Sequence, residues 1–293
     1  MNARPITHAK AARSQNLPHW VADALSTAAR VVNSDAPIQS NGRALRLGID
    51  LGTSDIVALV VDERNTVVAA CLEWADVVRD GVVLDFYGAT QIIKRHLAHL
   101  NQVLGVSFES ATTSFPPGTD PRISVNVLQA AGLEVSAVID EPSAVAHLLD
   151  LDKAAVVDIG GGTTGIAVVQ KGHVVYSGDE PSGGRHVSLT IAGGEKIALE
   201  AAEKLKIAKG KQVWPMVRPV FEKMADIVRA HIQGHEVRTL YLSGGSCSLA
   251  GVGELFADEF PELEIVLPKH PIFLTPFAIA AYQTHATNAG AQQ

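Results

Sequence analysis

Beyond residue 44 the chain is written in short runs of alternating apolar and polar residues, punctuated by Gly, Asp and Asn. The runs LRLGID, IVALVVD and TVVAACLEW, all between residues 45 and 74, are of strand length and predict three consecutive antiparallel strands. Apolar spacing then lengthens to a helical period over Ala89–Leu104. A strand at Ser110–Phe115, a helix at Pro121–Ala131, a strand at Glu134–Ile139 and a helix at Pro142–Leu149 follow. The second half repeats the order. Strands are expected at Ala154–Ile159, Thr164–Gln170 and His173–Gly178, then helices around Leu189–Lys206 and Val213–Ile232. Strand Thr239–Leu242, helix Val252–Phe260, strand Glu264–Leu267 and helix Pro276–Gln283 complete it.

Laying LGIDLGTSDIVALVVDERNTVVAA over VVDIGGGTTGIAVVQKGHVVYSG sets Asp50 against Asp158, and an internal duplication is the simplest account. The expected organisation is an N-terminal appendage over 1–44, a first lobe over 45–150 and a second over 151–293. Within the appendage, Trp20, Val21, Ala24, Leu25 and Ala28 recur at helical spacing after Pro18, and turn formers break the chain between Ser34 and Gly42. This amphipathic helix either docks on its own body or serves as a docking peptide for a partner. Because the duplicated body reads as complete without it, the segment is expected to be dispensable for folding.

Composition narrows the function. A hydrophobic content of 47% over 293 residues supports two moderate domains without external staples. A net charge of −7 and the lack of a long basic run argue against nucleic acid as a partner. Cys71 and Cys247 stand alone, outside any zinc or disulfide spacing. Residues 1–13 are polar, and no apolar run approaches the roughly 18 to 20 residues that span a bilayer. A cytoplasmic protein with no membrane partner is expected.

The chemistry is concentrated in two turns. In both halves an aspartate ends the first strand and small residues follow at once: Asp50 before Gly52, Thr53 and Ser54, and Asp158 before Gly160, Gly161, Gly162, Thr163 and Thr164. Glycines let an anion approach backbone N–H groups, and the hydroxyls donate to phosphate oxygens. A carboxylate beside such a cradle would repel bare phosphate, so Asp50 and Asp158 are expected to hold Mg²⁺, largely through its waters. Such turns also occur as plain hairpin connections, but their paired placement favours a phosphate site. The loop is not a Walker P-loop, since GxxxxGK[ST] is absent. Glu141, where a strand passes into the Pro142 helix, either orients a water in the same cleft or caps the helix. A further glycine turn, Gly244-Gly245-Ser246, suits packing against a ribose or base.

Five segments, GIDLGTSD (48–55), DEPSAVA (140–146), VDIGGGTTG (157–165), LSGGS (242–246) and FLTPFAIAAY (273–282), resemble in type and order the motifs of the actin, DnaK and MreB superfamily. The resemblance implies a duplicated ribonuclease H-like α/β fold, the actin-like ATPase fold, with ATP or ADP and Mg²⁺ in an interlobe cleft. It assigns Asp50, Glu141 and Asp158 to the catalytic centre, and Glu203 and Lys206 to closing over the nucleoside. CLEWADVVRDGVVLDFYGA (71–89), SFPPGTDPRISVNVL (114–128) and VRPVFEKMADIV (217–228) resemble more narrowly the EutJ family, DnaK-like proteins of bacterial ethanolamine utilisation. That likeness implies an accessory role toward a protein client, ethanolamine ammonia-lyase or components of its microcompartment.

Three departures count against rapid hydrolysis while leaving binding in place. Gly165 stands where DnaK carries an acid, Ser248 where it carries an adenine-stacking arginine, and the first half has no counterpart of its catalytic lysine. The stretch from Val174 to Arg238 has room for about two helices, so any extra subdomain is small. Alternative readings are a filament or scaffold protein of the MreB and FtsA kind, or a small-molecule kinase, against which the short insertions count.

Overall fold

The computed structural model describes residues 17–38, 42–75, 78–79, 82–83 and 85–283. The polar residues 1–13 lie outside them. Two five-stranded sheets form its frame. The first holds β1 (Leu45–Leu51), β2 (Asp55–Asp62), β3 (Val67–Trp74), β6 (Ser110–Phe115) and β7 (Glu134–Asp140) in the order β3-β2-β1-β6-β7. The second holds β8 (Ala154–Ile159), β9 (Thr164–Gln170), β10 (His173–Glu180), β11 (Thr239–Ser243) and β12 (Glu264–Val266) in the order β10-β9-β8-β11-β12. In each, the first three strands run antiparallel and the remaining two join parallel to the central strand. Asp50 faces Val57 across its ladder and Asp158 faces Gly165 across the other, so the duplication holds to the register.

The helices cross between the sheets. Helix α4 (Glu141–Leu148) packs on β8 and β9 of the second sheet, and the last helix, α9 (Leu274–Ala281), returns to cover β1 and β2 of the first. A Cβ on Gly48 would meet the Ala280 backbone at 2.5 Å, so glycine here sets how closely α9 approaches β1. The two helices lie in one core with Val57, Leu59 and Val61 from one sheet and Ala154, Val156 and Val169 from the other. Separate cores fill the outer faces, under α2 (Phe86–Leu104) and α3 (Arg122–Ala131) in the first lobe. In the second they lie under α5 (Gly184–Glu195), α7 (Gly210–Ile232) and α8 (Val252–Glu259).

Helix α1 (His19–Val31) belongs to the shared core, with Leu17, Val21, Ala24, Leu25 and Ala28 buried against β3 and α9. Trp20 meets the Phe277 ring edge-on at 5.9 Å between centroids. Beyond the helix, Asn33 takes a left-handed conformation and closes the free edge of β3. Its N–H donates to Ala70 O, its amide nitrogen donates to Leu72 O and its amide oxygen accepts from Leu72 N, each at 2.9 Å. The helix therefore docks on its own body. The expectation that the body is complete without it is corrected, because removing it would bare both an apolar sheet face and a strand edge.

Local chemistry accounts for the other differences. Helix α2 begins three residues earlier than its apolar spacing indicates because Asp85 caps it, accepting from Gly88 N at 2.7 Å. The single helix expected over Leu189–Lys206 is two. Lys196 turns left-handed after Gly193 and Gly194, and α6 (Leu199–Ala208) starts afresh. A short hairpin, β4 (Val78–Arg79) with β5 (Val82–Val83), was not foreseen. The stretch 174–238 thus carries three helices, α5, α6 and α7, behind the end of β10.

Candidate functional site

The β1–β2 and β8–β9 turns meet face to face between the lobes. A Cβ on Gly161 would collide with the Ser54 side chain, and one on Gly162 would stand 2.7 Å from Thr53 Cγ2. Neither glycine has positive φ among the described residues. They are required by the opposite lobe rather than by their own backbone. Gly244 is different, with φ at 90° in the turn after β11, pressed against Ile159 O.

Behind the loops lies a cavity of about 40 Å³, lined by Asp50, Gly52, Thr53, Asp55, Glu141, Asp158, Gly160, Gly161, Thr163, Gly244, Gly245 and Thr275 among others. That is space for a few waters. It gathers ten of the residues expected from the sequence. Six others stand off its wall. Thr164 is buried and spends its hydroxyl on Ser182 O at 2.6 Å, so its expected phosphate contact is corrected. Ser54 and Gly162 form the loop-to-loop contact. Ser246 Oγ ties the third glycine turn to Gly160 O at 2.8 Å. Glu203 and Lys206 pair at 2.7 Å on α6, and Lys206 Nζ donates to Gly184 O at 3.2 Å.

Four carboxyl groups share the wall, and burial dominates their titration. Asp50 is pushed up to about 8 by burial and then by the charges of Asp158 and Asp55, against a hydrogen bond from Ser114 Oγ at 2.9 Å. Asp55 rises to about 7 through burial, Asp158 and Glu203. Burial also lifts Glu141 well above the ordinary carboxylate range, with Asp50 and Asp158 adding to it. Asp158 is raised by burial but held back by hydroxyls of Thr275 and Ser243. The side-chain cap of α4 is Asp140, which accepts from Ser143 N at 3.1 Å, while Glu141 is the acid of the helix's first turn and also lines the cavity.

The donor set suits a hard divalent cation. Carboxylate and hydroxyl oxygens converge and no soft ligand intrudes. Among the described residues no three His, Cys, Asp or Glu side chains form a metal-holding group, and Asp50 and Asp158 are the carboxylates of the two turns that would face such an ion. Asp55, Thr275, Ser114 and Ser243 were missed. Asp55 ends the motif GIDLGTSD and Thr275 opens the last apolar helix, so both were visible as polar residues inside otherwise apolar or glycine-rich segments.

Ethanolamine utilization protein EutJ of Escherichia coli is 57% identical to this chain over 262 residues, 89% of this chain and 94% of that protein. The chain belongs to the EutJ family. The crystal structure of the EutJ protein from Carboxydothermus hydrogenoformans superposes with a TM-score of 0.84 at 39% identity, covering 89% of this chain and 98% of that one. The family shares the actin-like ATPase fold. The model of cell division protein FtsA matches residues 155–281, and that of MreB/Mbl protein matches residues 72–207. MreB 5 of Spiroplasma citri, solved bound to AMPPNP, superposes with a TM-score of 0.63 at 17% identity over 80% of this chain and 94% of its own. Among the described residues no helix is long and apolar enough to cross a membrane.

Proposed function

We propose that this chain is a nucleotide-switched accessory protein of ethanolamine utilisation, acting on a protein client such as ethanolamine ammonia-lyase or a microcompartment component. The observation that carries this reading is the meeting of two glycine turns from duplicated lobes, with buried carboxylates behind them. Thr53, Thr163 and the backbone of Gly160, Gly161 and Gly244 line the space a phosphate chain would take. Asp50 and Asp158 would hold Mg²⁺ through its waters, and the ion supplies neutralising charge to phosphate oxygens. Glu141 orients water at the same wall.

The cavity is far smaller than a nucleotide, so ATP is admitted only as the lobes part, and α4 and α9 carry that motion. The Glu203–Lys206 pair keeps its place beside α5 and closes one side of the nucleoside space. The test is calorimetric titration of ATP and ADP with and without Mg²⁺, paired with thermal melting. A ligand that binds only the folded state raises stability by about 2.7 kcal/mol at a hundredfold excess over Kd. Asp158→Ala removes most of the shift, and an unchanged wild-type melting curve at millimolar ATP overturns the nucleotide reading. Capture of ethanolamine ammonia-lyase from an ethanolamine-grown lysate, dependent on ATP, tests the client.

A further inference from the structure

One carboxylate of the cleft wall has no part in holding phosphate or cation. Asp55 is the first residue of β2, where pairing with Trp74 of β3 fixes its backbone. Its side chain folds back over Gly52, on which a Cβ would stand 3.1 Å from Oδ1. Across the cleft it faces the third glycine turn. A Cβ on Gly245 would have Ile272 Cδ1 at 3.5 Å and Asp55 Oδ2 at 3.9 Å as neighbours. Asp50 takes a hydrogen bond from Ser114 and Asp158 takes them from Thr275 and Ser243, but among the described residues no donor reaches the Asp55 carboxylate. Glu141 is acted on by the charges of Asp50 and Asp158, whereas Asp55 is acted on by Asp158 and by Glu203 of α6. Asp55 thus lies on the side of the wall toward the nucleoside space.

The chemistry of that corner fits a sugar. A carboxylate repels phosphate, but its two oxygens accept hydrogen bonds from a pair of neighbouring hydroxyls. A bare glycine turn with an isoleucine beside it offers the flat apolar contact that suits the carbon face of a ribose. We infer that Asp55 is a specificity-determining residue, accepting the 2′- and 3′-hydroxyls of a nucleotide's ribose while the sugar packs against Gly245 and Ile272, so that the cleft selects ribonucleotides over their deoxy forms. This rests on the nucleotide reading above and adds to it a reason for an acid at the end of the first loop. The ribose hydroxyls supply the donors that the protein does not. Dinucleotide-binding folds place an acid against the ribose for the same reason, on an unrelated scaffold.

Calorimetric titration of the full chain with ATP, 2′-deoxy-ATP and 3′-deoxy-ATP, each with Mg²⁺, tests this. ATP should bind at least about tenfold more tightly than either deoxy form, because a missing hydroxyl leaves a carboxylate oxygen unpaired. Asp55→Ala should bring ATP down to the affinity of the deoxy forms, with the dependence on Mg²⁺ unchanged. Asp55→Asn keeps the side chain's shape, should retain only part of the preference, and serves where the alanine variant fails to fold. Three outcomes overturn the inference while ATP binding itself upholds the nucleotide reading: equal wild-type affinities for the three nucleotides, a preference that survives both substitutions, or a loss of Mg²⁺ dependence in Asp55→Ala with the preference intact. Binding of none of the three nucleotides overturns both.

Discussion

The two lobes share strand order, ladder register and the aspartate that ends the central strand, yet they have diverged into complementary partners. The first loop carries side chains, Thr53 and Ser54, where the second carries glycines that make room for them. The outer edge strand of the first sheet is closed by Asn33, whereas Ser177 on β10 donates to Asp140 at the end of β7, at 3.1 Å. Asp50 has one hydroxyl donor, Ser114, while Asp158 has Thr275 and Ser243. Duplicated halves meeting at one cleft were freed from symmetry wherever a feature of one could be supplied by the other.

The largest effect is expected where the first lobe depends on material the second lacks. Truncation at Arg43 removes Leu17, Val21 and Leu25 from the shared core along with the cap on β3. At about 2 kcal/mol for each large aliphatic side chain, the loss is about 6 kcal/mol, enough to abolish a cooperative melt or cause aggregation. A truncated protein melting within a few degrees of the full chain would mean that an uncovered sheet edge is as tolerable in the first lobe as in the second.

Loop complementarity comes next. Gly161→Val should abolish nucleotide binding, because the new side chain meets Ser54 and holds the loops apart, while Gly193→Ala, away from the cleft on α5 with nothing within 4 Å of its Cβ, should bind as wild type. Ser54→Gly combined with Gly161→Ala should recover part of the loss if contact with the opposite lobe is the cause. Calorimetry on the four proteins decides it.

The carboxylates give a pH-dependent contrast. Asp50 and Asp55 hold protons more tightly in the folded protein, at about 8 and about 7, than at their ordinary 3.8. Their contribution is complete below pH 3.8 and is lost as pH rises through those folded values, so ligand-free protein should melt several degrees lower at pH 8 than at pH 6. Asp50→Asn should flatten this slope and raise the melting temperature at pH 8. Asp158→Asn should do so less, because two hydroxyls already favour its charged form. Equal responses would erase the asymmetry between the lobes.

The smallest effect concerns the strand edges. Asn33→Ala removes two side-chain hydrogen bonds to Leu72 at a partly exposed site and should cost about 1 kcal/mol. Ser177→Ala on the second edge should stay within about 0.5 kcal/mol. Denaturant midpoints would separate the two.

Much of this was legible in the chain. Alternating runs announced the strands, and the repeat that aligns Asp50 with Asp158 announced the shared register. What escaped was long-range. Nothing local to Gly161 says that it faces Ser54, or that Thr164 turns to Ser182 instead of the cleft. The apolar face of α1 was visible, but its covering surface comes from β3 and α9, far apart in sequence. The extra turn of α2 and the break before α6 were hidden by single residues, Asp85 and Lys196, whose backbone roles outweigh apolar spacing.

The exchange of α4 and α9 has a consequence for the gene as well as the molecule. Cutting the coding sequence near Leu149 would give one polypeptide whose sheet awaits α9 and another whose sheet awaits α4. Neither product would be a self-sufficient unit, although each carries a full set of five strands. Co-expressed, the two pieces should find one another, so the fold is suited to reconstitution from split halves, and a nonsense mutation anywhere before the final helix should yield no working fragment.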